Sequence, residues 1–297
     1  PQFGSRVQYA KVDETAPLDE EQINFIQRVV GKLLYYARAV DNTMAHALND
    51  ISLNTAKGTD ATMDAVTYLL NYAHTNPDTE IIFRASDMIL HVDSDAAYLV
   101  APEARSRAGG YQYLSSHDGS LFNGPVLILA KVIKNVMASA TEAELAALFM
   151  NGQEAVALRN CLQAMGYEQP ATPLKTDNNT ANGIINNTMK QKRSKAIDVR
   201  FYWLRNRTKQ GQFKIYWDAG KNNIADYFTK HHPPAHHKKW RPVMTYVKGS
   251  SPSSLQGCIE IITREKQPRG GSGFLSHKVP EMNQMGTVRS PTVNSPQ

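Results

Sequence analysis

Four carboxylates stand where short apolar runs give way to polar residues, or inside a helical pattern: Asp93 in His-Val-Asp-Ser-Asp, Glu144 in Ala-Thr-Glu-Ala-Glu-Leu, Asp177 in Lys-Thr-Asp-Asn-Asn and Asp226 in Asn-Ile-Ala-Asp-Tyr. Asp93 and Asp177 each end a strand-like run. That places them near the carboxyl ends of neighbouring strands, where open sheets bind ligands. Gathering four such groups is costly, since like charges about 4 Å apart repel by roughly 1 kcal/mol in water and about 4 kcal/mol at an effective dielectric near 20. Hard oxygen donors without Cys or His suit Mg2+, with Mn2+ as the alternative, rather than Zn2+. Two such ions about 3.5 to 4 Å apart would activate a water and stabilise the leaving oxygen of an in-line phosphodiester displacement. Taken singly, an Asp at a strand end is ordinarily a turn or cap residue. Asp95 competes with Asp93, and Glu142 with Glu144.

Residues 19 to 76 read as helical, with Ile23, Phe25, Ile26, Val29, Val30, Leu33 and Leu34 forming one apolar stripe and Leu69, Leu70 and Tyr72 belonging to another. Asp60 is placed as the cap of the second helix. The turn Thr75-Asn76-Pro77-Asp78 precedes a change from helical to strand-like period, which sets a boundary near residue 80. Strands are then expected at Met88 to Asp93, Gly110 to Ser115 (joined through Gly109-Gly110) and Pro125 to Ile133, as an antiparallel meander. A long helix follows at Thr141 to Met165, closed by Gly166. Further on come a strand at Pro173 to Asp177, a helix at Ala181 to Ile185, a basic helix at Ala196 to Thr208, a strand at Phe213 to Trp217 and a last helix at Ile224 to Lys230. Leu145 and Leu148 would pack down while Glu144 points toward the strand ends. The pattern describes an α/β domain with a mixed sheet and helices packed on it, preceded by a small helical segment. The expected divisions are 1–80, 81–235, and a basic linker with a Ser-, Gly- and Pro-rich tail over 236–297.

From Lys190 to Lys248 there are 15 Lys/Arg against three acidic residues, in a chain whose net charge is +6. A basic block of this kind favours a polyanion such as nucleic acid. Cys161 and Cys258 are the two cysteines, too few for a disulfide framework, and a reducing intracellular setting is expected. No apolar run approaches the roughly 18 residues of a membrane span, so no membrane partner is expected. The chain begins with Pro1 rather than Met, and a piece of something longer is expected. His231, His232, His236 and His237, separated by Pro233-Pro234 and lacking a Cys, read as a solvated linker rather than a zinc set. Trp203 and Trp217 read as packing residues.

Val-Asp-Ser-Asp-Ala at 92–96, Ala-Ser-Ala-Thr-Glu-Ala-Glu-Leu ending at Leu145, Thr-Asp-Asn-Asn-Thr-Ala at 176–181, Arg-Ser-Lys-Ala-Ile-Asp-Val-Arg-Phe at 193–201 and Gly-Lys-Asn-Asn-Ile-Ala-Asp-Tyr-Phe-Thr-Lys at 220–230 occur in that order. Together they closely resemble the ribonuclease H domain of copia-type retrotransposon polyproteins. The resemblance implies a ribonuclease H-like five-stranded mixed sheet flanked by helices, and a two-metal-ion endonuclease cutting the RNA strand of RNA–DNA hybrids during reverse transcription. It makes Asp93, Glu144, Asp177 and Asp226 the metal-binding acids. Asp93 is preferred to Asp95 because it ends the apolar run where the family's first Asp lies, and Glu144 to Glu142 because Leu-Ala-Ala-Leu follows it. Residues 19 to 76, with Val-Gly-Lys-Leu-Leu-Tyr-Tyr-Ala-Arg at 30–38, look like the segment after the polymerase palm, so the upstream reverse transcriptase palm is an implied partner. No adjacent Asp-Asp pair exists in the chain, and DNA synthesis by it is not expected. Two departures stand out: Ala196 where copia-type sequences commonly have His, and Asp218 and Lys221 where many ribonucleases H have a mobile His before the fourth acid. They keep open a second reading, a catalytically impaired nucleic-acid-binding remnant. A hybrid is told apart by its 2′-hydroxyls and groove shape. The candidates near the acids are Gly109, Gly110, Ser115, Ser116, Asn178 and Asn179, with Arg193, Lys195, Arg200, Arg205 and Arg207 for phosphates.

Overall fold

The computed structural model describes residues 13–188 and 199–247. Helix α1 (Glu20–Ala39) starts at a capping box, in which the Asp19 carboxylate accepts from the Gln22 backbone N–H at 2.8 Å and the Gln22 side chain accepts in return from the Asp19 N–H at 3.0 Å. A 3-10 turn at Asn42–Met44 leads into α2 (Ala45–Leu53), and α3 (Asp60–Thr75) follows, capped by Thr59 rather than by Asp60. Ile26, Met44, Leu48, Ile51, Val66 and Leu69 close a small core between these helices.

After the short strand β1 (Thr79–Glu80), a meander of β2 (Ile89–Ala101), β3 (Arg105–Ser115) and β4 (Pro125–Val132) is followed by helix α4 (Ala140–Ala164). Then come β5 (Thr172–Thr176), α5 (Asn179–Ile185), α6 (Val199–Lys209) and β6 (Phe213–Trp217). The sheet runs β4-β3-β2-β5-β6; the meander is antiparallel, while β5 lies parallel to β2 and β6 parallel to β5. This is the five-stranded mixed sheet flanked by helices that the resemblance implies. One face is buried under α4, α5 and α6 through Leu90, Val92, Leu145, Leu148, Leu174, Ile184, Leu204 and Phe213. The other carries Tyr111 and Tyr113 against Ile224, Tyr227, Phe228, Trp240 and Met244.

Three expectations are corrected. Gly109 and Gly110 lie inside β3, and the β2–β3 connection is made at Pro102–Ala104, where Glu103 and Ala104 take positive φ of 59° and 55°. The reason is close packing: a Cβ on Gly109 would stand 2.4 Å from the Ala225 carbonyl oxygen, and one on Gly110 would stand 1.8 Å from Asn151 Oδ1. The last expected helix is a 3-10 turn, Ile224–Phe228. Residues 236 to 247, expected as linker, form most of helix α7 (Pro234–Met244) and the strand β7 (Tyr246–Val247), which pairs antiparallel with β1. Trp240 anchors α7 in the core, and Arg241 donates to Tyr72 Oη at 3.1 Å and to Thr79 Oγ1 at 2.7 Å. The helical segment is therefore tied to the sheet rather than strung from it. The tail expected over 249–297 lies outside the described residues.

Candidate active site

Ser139 caps α4 by accepting the Glu142 N–H, and the Glu142 carboxylate accepts in turn from Ala138 N–H at 2.7 Å. That fixes Glu142 as an end-of-helix residue. Glu144, half a turn further on, is buried beside the strand ends, with Oε1 accepting from Ala96 N–H at 3.1 Å and Oε2 from the Thr176 hydroxyl at 3.3 Å. Asp177 follows directly on β5, and its carbonyl accepts from Trp217 Nε1–H at 2.8 Å. Asp226 rides on the 3-10 turn, which Asn223 fastens to the sheet: its side chain donates to Ser94 O at 2.8 Å and accepts from Ala225 N–H at 3.3 Å. Gly109 lets that turn sit directly on β3.

One carboxylate oxygen each from Asp95, Glu144 and Asp177 can be chosen so that all three lie within 4.8 Å of one another. Asp226 is linked to them through Thr229, whose hydroxyl lies 2.9 Å from both Asp95 Oδ2 and the Asp226 carbonyl oxygen, and its charge raises the pKa of Asp95 and Asp177. The structure does not bring Asp93 into this group. Asp93 and Asp95 share a face of β2, but two residues put them roughly 6.6 Å apart along the strand. Asp93 is thereby opposite Tyr111, in the interior, with its Oδ2 2.5 Å from Lys175 Nζ. Asp95, opposite Gly109, reaches the end where the other acids gather, and its Oδ2 accepts from the Thr229 hydroxyl at 2.9 Å. Strand register separates Asp95 from Asp93, and an apolar run in the sequence does not carry it.

The electrostatics of the group show crowded, undercompensated negative charge. Burial, then the charges of Asp226 and Asp177, push Asp95 up to about 7. Burial, then Asp95 and Asp177, raise Glu144 well above the usual carboxylate range. Asp177 is raised by burial and then by Asp226. The nearest cation in place is Lys230, whose Nζ is 2.5 Å from Asp226 Oδ1. Burial lowers its pKa, but the hydrogen bond to Asp226 and the charges of Asp226, Asp95 and Asp177 outweigh that and raise it. An all-oxygen set held at this spacing, with a lysine as partial counter-ion, fits a hard divalent cation.

Lys230 and His232 are residues that sequence reasoning missed. His232 Nε2 lies 3.0 Å from the Asp226 carbonyl oxygen and 3.8 Å from its Oδ2, and its ring stacks on His236 at 3.9 Å. Other expected contacts are reassigned. Gly109, Gly110 and Ser115 are buried, and Ser116 donates to Asp118 Oδ1 at 2.6 Å. Asn178 caps α5 by accepting the Ala181 N–H, while Asn179 is exposed. Arg200 is half-buried. Arg205 lies over the Phe201 ring and Arg207 over Trp203, the latter also donating to Gln212. Arg193, Lys195 and Ala196 lie outside the described residues. Trp203 packs against Phe149 and Phe213, as expected, but Trp217 is 49% exposed because β6 is an edge strand.

No protein-family model matches the chain. The retrovirus-related Pol polyprotein from transposon TNT 1-94 of Nicotiana tabacum is 29% identical over 201 residues, 68% of this chain and 15% of the polyprotein. The corresponding polyprotein from transposon RE2 of Arabidopsis thaliana is 26% identical over 205 residues, 68% of this chain and 14% of its own length. This chain thus spans about a seventh of the curated relatives it matches. Among solved structures, the N-terminal RNase H domain of a Mycobacterium tuberculosis protein, fused to maltose-binding protein, aligns at 14% identity and a TM-score of 0.35, covering 48% of this chain and 91% of that one. RNase H1 of Halobacterium salinarum aligns at 18% and 0.30, covering 48% and 94%. At those scores the fold rests on the chain's own strand order and directions. No helix among the described residues is long and apolar enough to cross a membrane. Over 68% of its length, this chain is similar to the retrovirus-related Pol polyproteins of copia-type transposons.

Proposed function

We propose that the chain hydrolyses the RNA strand of RNA–DNA hybrids, with Asp95, Glu144, Asp177 and Asp226 as the acids of the site. The observation that carries this reading is the convergence of Asp95, midway along β2, with Glu144 and with Asp177 just past the end of β5, and Asp226 beside them. These carboxylates would hold divalent cations, Mg2+ by preference, and in the finer form of the proposal two of them. When bound, such ions supply an activated water and neutralise charge on the leaving oxygen.

The protein's own groups prepare that chemistry. Thr229 orients Asp95 through Oδ2 and leaves Oδ1 for the cluster, while Ala96 N–H and the Thr176 hydroxyl fix Glu144 through one lone pair on each of its two oxygens. Lys230 neutralises Asp226 in the chain as it stands. His232 Nε2–H donates to the Asp226 carbonyl oxygen at 3.0 Å and so braces the turn, on the side after the fourth acid rather than before it. Exposed Asn179 and Trp217 flank Asp177, one offering hydrogen bonds to a 2′-hydroxyl and the other an aromatic face to a sugar or base. Arg193 and Lys195 are proposed phosphate contacts from the sequence alone. The helical layer α1–α3 is proposed as the connection to an upstream polymerase palm.

The test is cleavage of a labelled hybrid in Mg2+ by the full chain and by Asp95→Asn, Asp177→Asn and Asp93→Asn variants. Cleavage lost in the first two and kept in the third supports the reading. Hybrid binding without cleavage by the unaltered chain, in Mg2+ or Mn2+, would leave only the impaired binding remnant.

A further inference from the structure

Away from the acid cluster, the helical layer and the sheet meet at three side chains that none of that chemistry uses. His46 is on α2, Asp50 is one turn further along the same helix, and His231 follows the 3-10 turn that carries Asp226. One ligand atom from each lies within 4.8 Å of the other two. His231 Nε2 is 2.6 Å from Asp50 Oδ2, His46 Nε2 is 3.5 Å from the same oxygen, and the two imidazoles meet edge to face at 4.4 Å.

The second observation is the state of His46. Its Nδ1 is 3.2 Å from the Phe228 carbonyl oxygen. A carbonyl oxygen only accepts, so Nδ1 carries the proton and the Nε2 lone pair points the other way. His46 is 95% buried, and Nε2 has no hydrogen-bond partner. A bare nitrogen lone pair facing a carboxylate oxygen is repulsive unless a proton or another cation stands between them. Protonation is opposed by burial and then by the Arg107 guanidinium, which together hold His46 down at about 3. A histidine whose Nδ1–H is fastened to a carbonyl and whose Nε2 is presented bare is oriented as metal-ligating histidines are.

We propose that His46, Asp50 and His231 form a binding site for a borderline dication of the Zn2+ class, clasping helix α2 to the segment that follows the last 3-10 turn. Two imidazoles and a carboxylate make a donor set for zinc rather than magnesium, with a fourth position left to water. Arg107 pairs with the other oxygen of Asp50 and donates to Asn49 Oδ1 at 3.0 Å, so it orients the carboxylate. Its positive charge also weakens cation binding, so this site should bind less tightly than an uncharged surround would allow. His231, 72% exposed at its side chain, gives the ion its way in. On binding, the His231 proton facing Asp50 leaves Nε2 for the other ring nitrogen or for solvent.

The test uses the full chain in excess Mg2+, titrated with Co2+ as a visible-absorbing surrogate and then with Zn2+. Intense absorption of the tetrahedral type at one equivalent, displaced by Zn2+, is expected in the unaltered chain. Because His231 is exposed, His231→Ala should stay folded and lose the signal, with affinity falling at least about tenfold. His231→Cys should keep it and add a sulfur-to-cobalt charge-transfer band. His236→Ala, which alters the other histidine group beside Asp226, should leave it unchanged. An unaltered chain with no tetrahedral signal, a signal that survives His231→Ala, or one removed by His236→Ala would each overturn the proposal.

Discussion

Lys175 on β5 reaches Asp93 on β2 with Nζ 2.5 Å from Oδ2, and the same ammonium donates to Asn222 O at 3.0 Å. Both side chains are buried, so the pair is a structural brace between strands. Asp93→Asn leaves a buried ammonium without its counter-charge, and breaking such a pair costs about 3 to 5 kcal/mol. Urea unfolding should show that loss, while cleavage per folded molecule stays near the unaltered value. Loss of cleavage at full stability would return Asp93 to the catalytic group.

Asp95→Asn should do the reverse. Removing one of the clustered acids is expected to lower hybrid cleavage by at least about 10²-fold. In the metal-free chain at pH 8 it should raise the melting temperature, because it removes an ionised carboxylate held in a buried negative field. Circular dichroism melts in EDTA, run beside the cleavage assay, check both.

The pH dependence follows from the same group. Asp95 is pushed up to about 7 in the folded chain from an ordinary 3.8. Between those values the folded state holds a proton the unfolded state has released, so the Asp95 contribution to metal-free stability is lost as pH rises from about 4 to 7, and Glu144, raised by the same crowding, adds to the fall. A divalent ion must displace that proton, so stabilisation by Mg2+ should grow across the same window. Melts at several pH values, with and without Mg2+, would show the two trends opposed in the unaltered chain and both smaller in Asp95→Asn.

Gly109→Ala would place a methyl 2.4 Å from the Ala225 carbonyl oxygen, with the Thr229 methyl at 2.6 Å. The backbone turn carrying Asp226 must move, and overpacking of this kind costs about 1 to 3 kcal/mol. Cleavage should then need more Mg2+ for half-maximal rate, since Asp226 and the Thr229 bond to Asp95 shift together. A magnesium titration of the variant checks this.

Trp217→Ala should weaken hybrid binding by about 1 to 3 kcal/mol, the range for loss of one stacking platform, with little change in melting temperature because the ring is half exposed. Arg205→Ala and Arg207→Ala should instead lower stability and leave the salt dependence of binding nearly unchanged, because their guanidinium groups lie on Phe201 and Trp203. Fluorescence anisotropy at several salt concentrations separates the two behaviours.

The order of elements was legible because each has a local cause: a continuous apolar run in β4, periodic leucines and a closing Gly166 in α4, and a short hydrophobic run in β6. Glu144 and Asp177, which the structure brings together, were singled out by short flanking runs, Glu144 by the Leu-Ala-Ala-Leu after it and Asp177 by the strand-like run before it. Choosing between Asp93 and Asp95 was beyond local reading, since both point to one face of β2 and only the partners across it, Tyr111 and Gly109, tell interior from rim. The glycine pair misled for a related reason. Gly109 and Gly110 serve close approach by Ala225 and Asn151, 116 and 41 positions away respectively, and that looks like a turn when seen alone. The histidines after Lys230 read as linker because their partners, Asp50, Tyr72 and Tyr227, are likewise distant or on an irregular turn.

Among the described residues, strand β1 pairs only with β7, joining Thr79 to Val247 and Glu80 to Tyr246. As the ribosome delivers this chain from its amino end, the helical layer and the meander emerge long before their clasp partner does. The contact is of very high sequence separation and is reached late, so nascent chains ending before α7 would expose the aromatic face of the sheet around Tyr111 and Phe228. Truncations or frameshifts between residues 227 and 234 would therefore yield sticky, protease-prone products even though all four proposed acids had already been made.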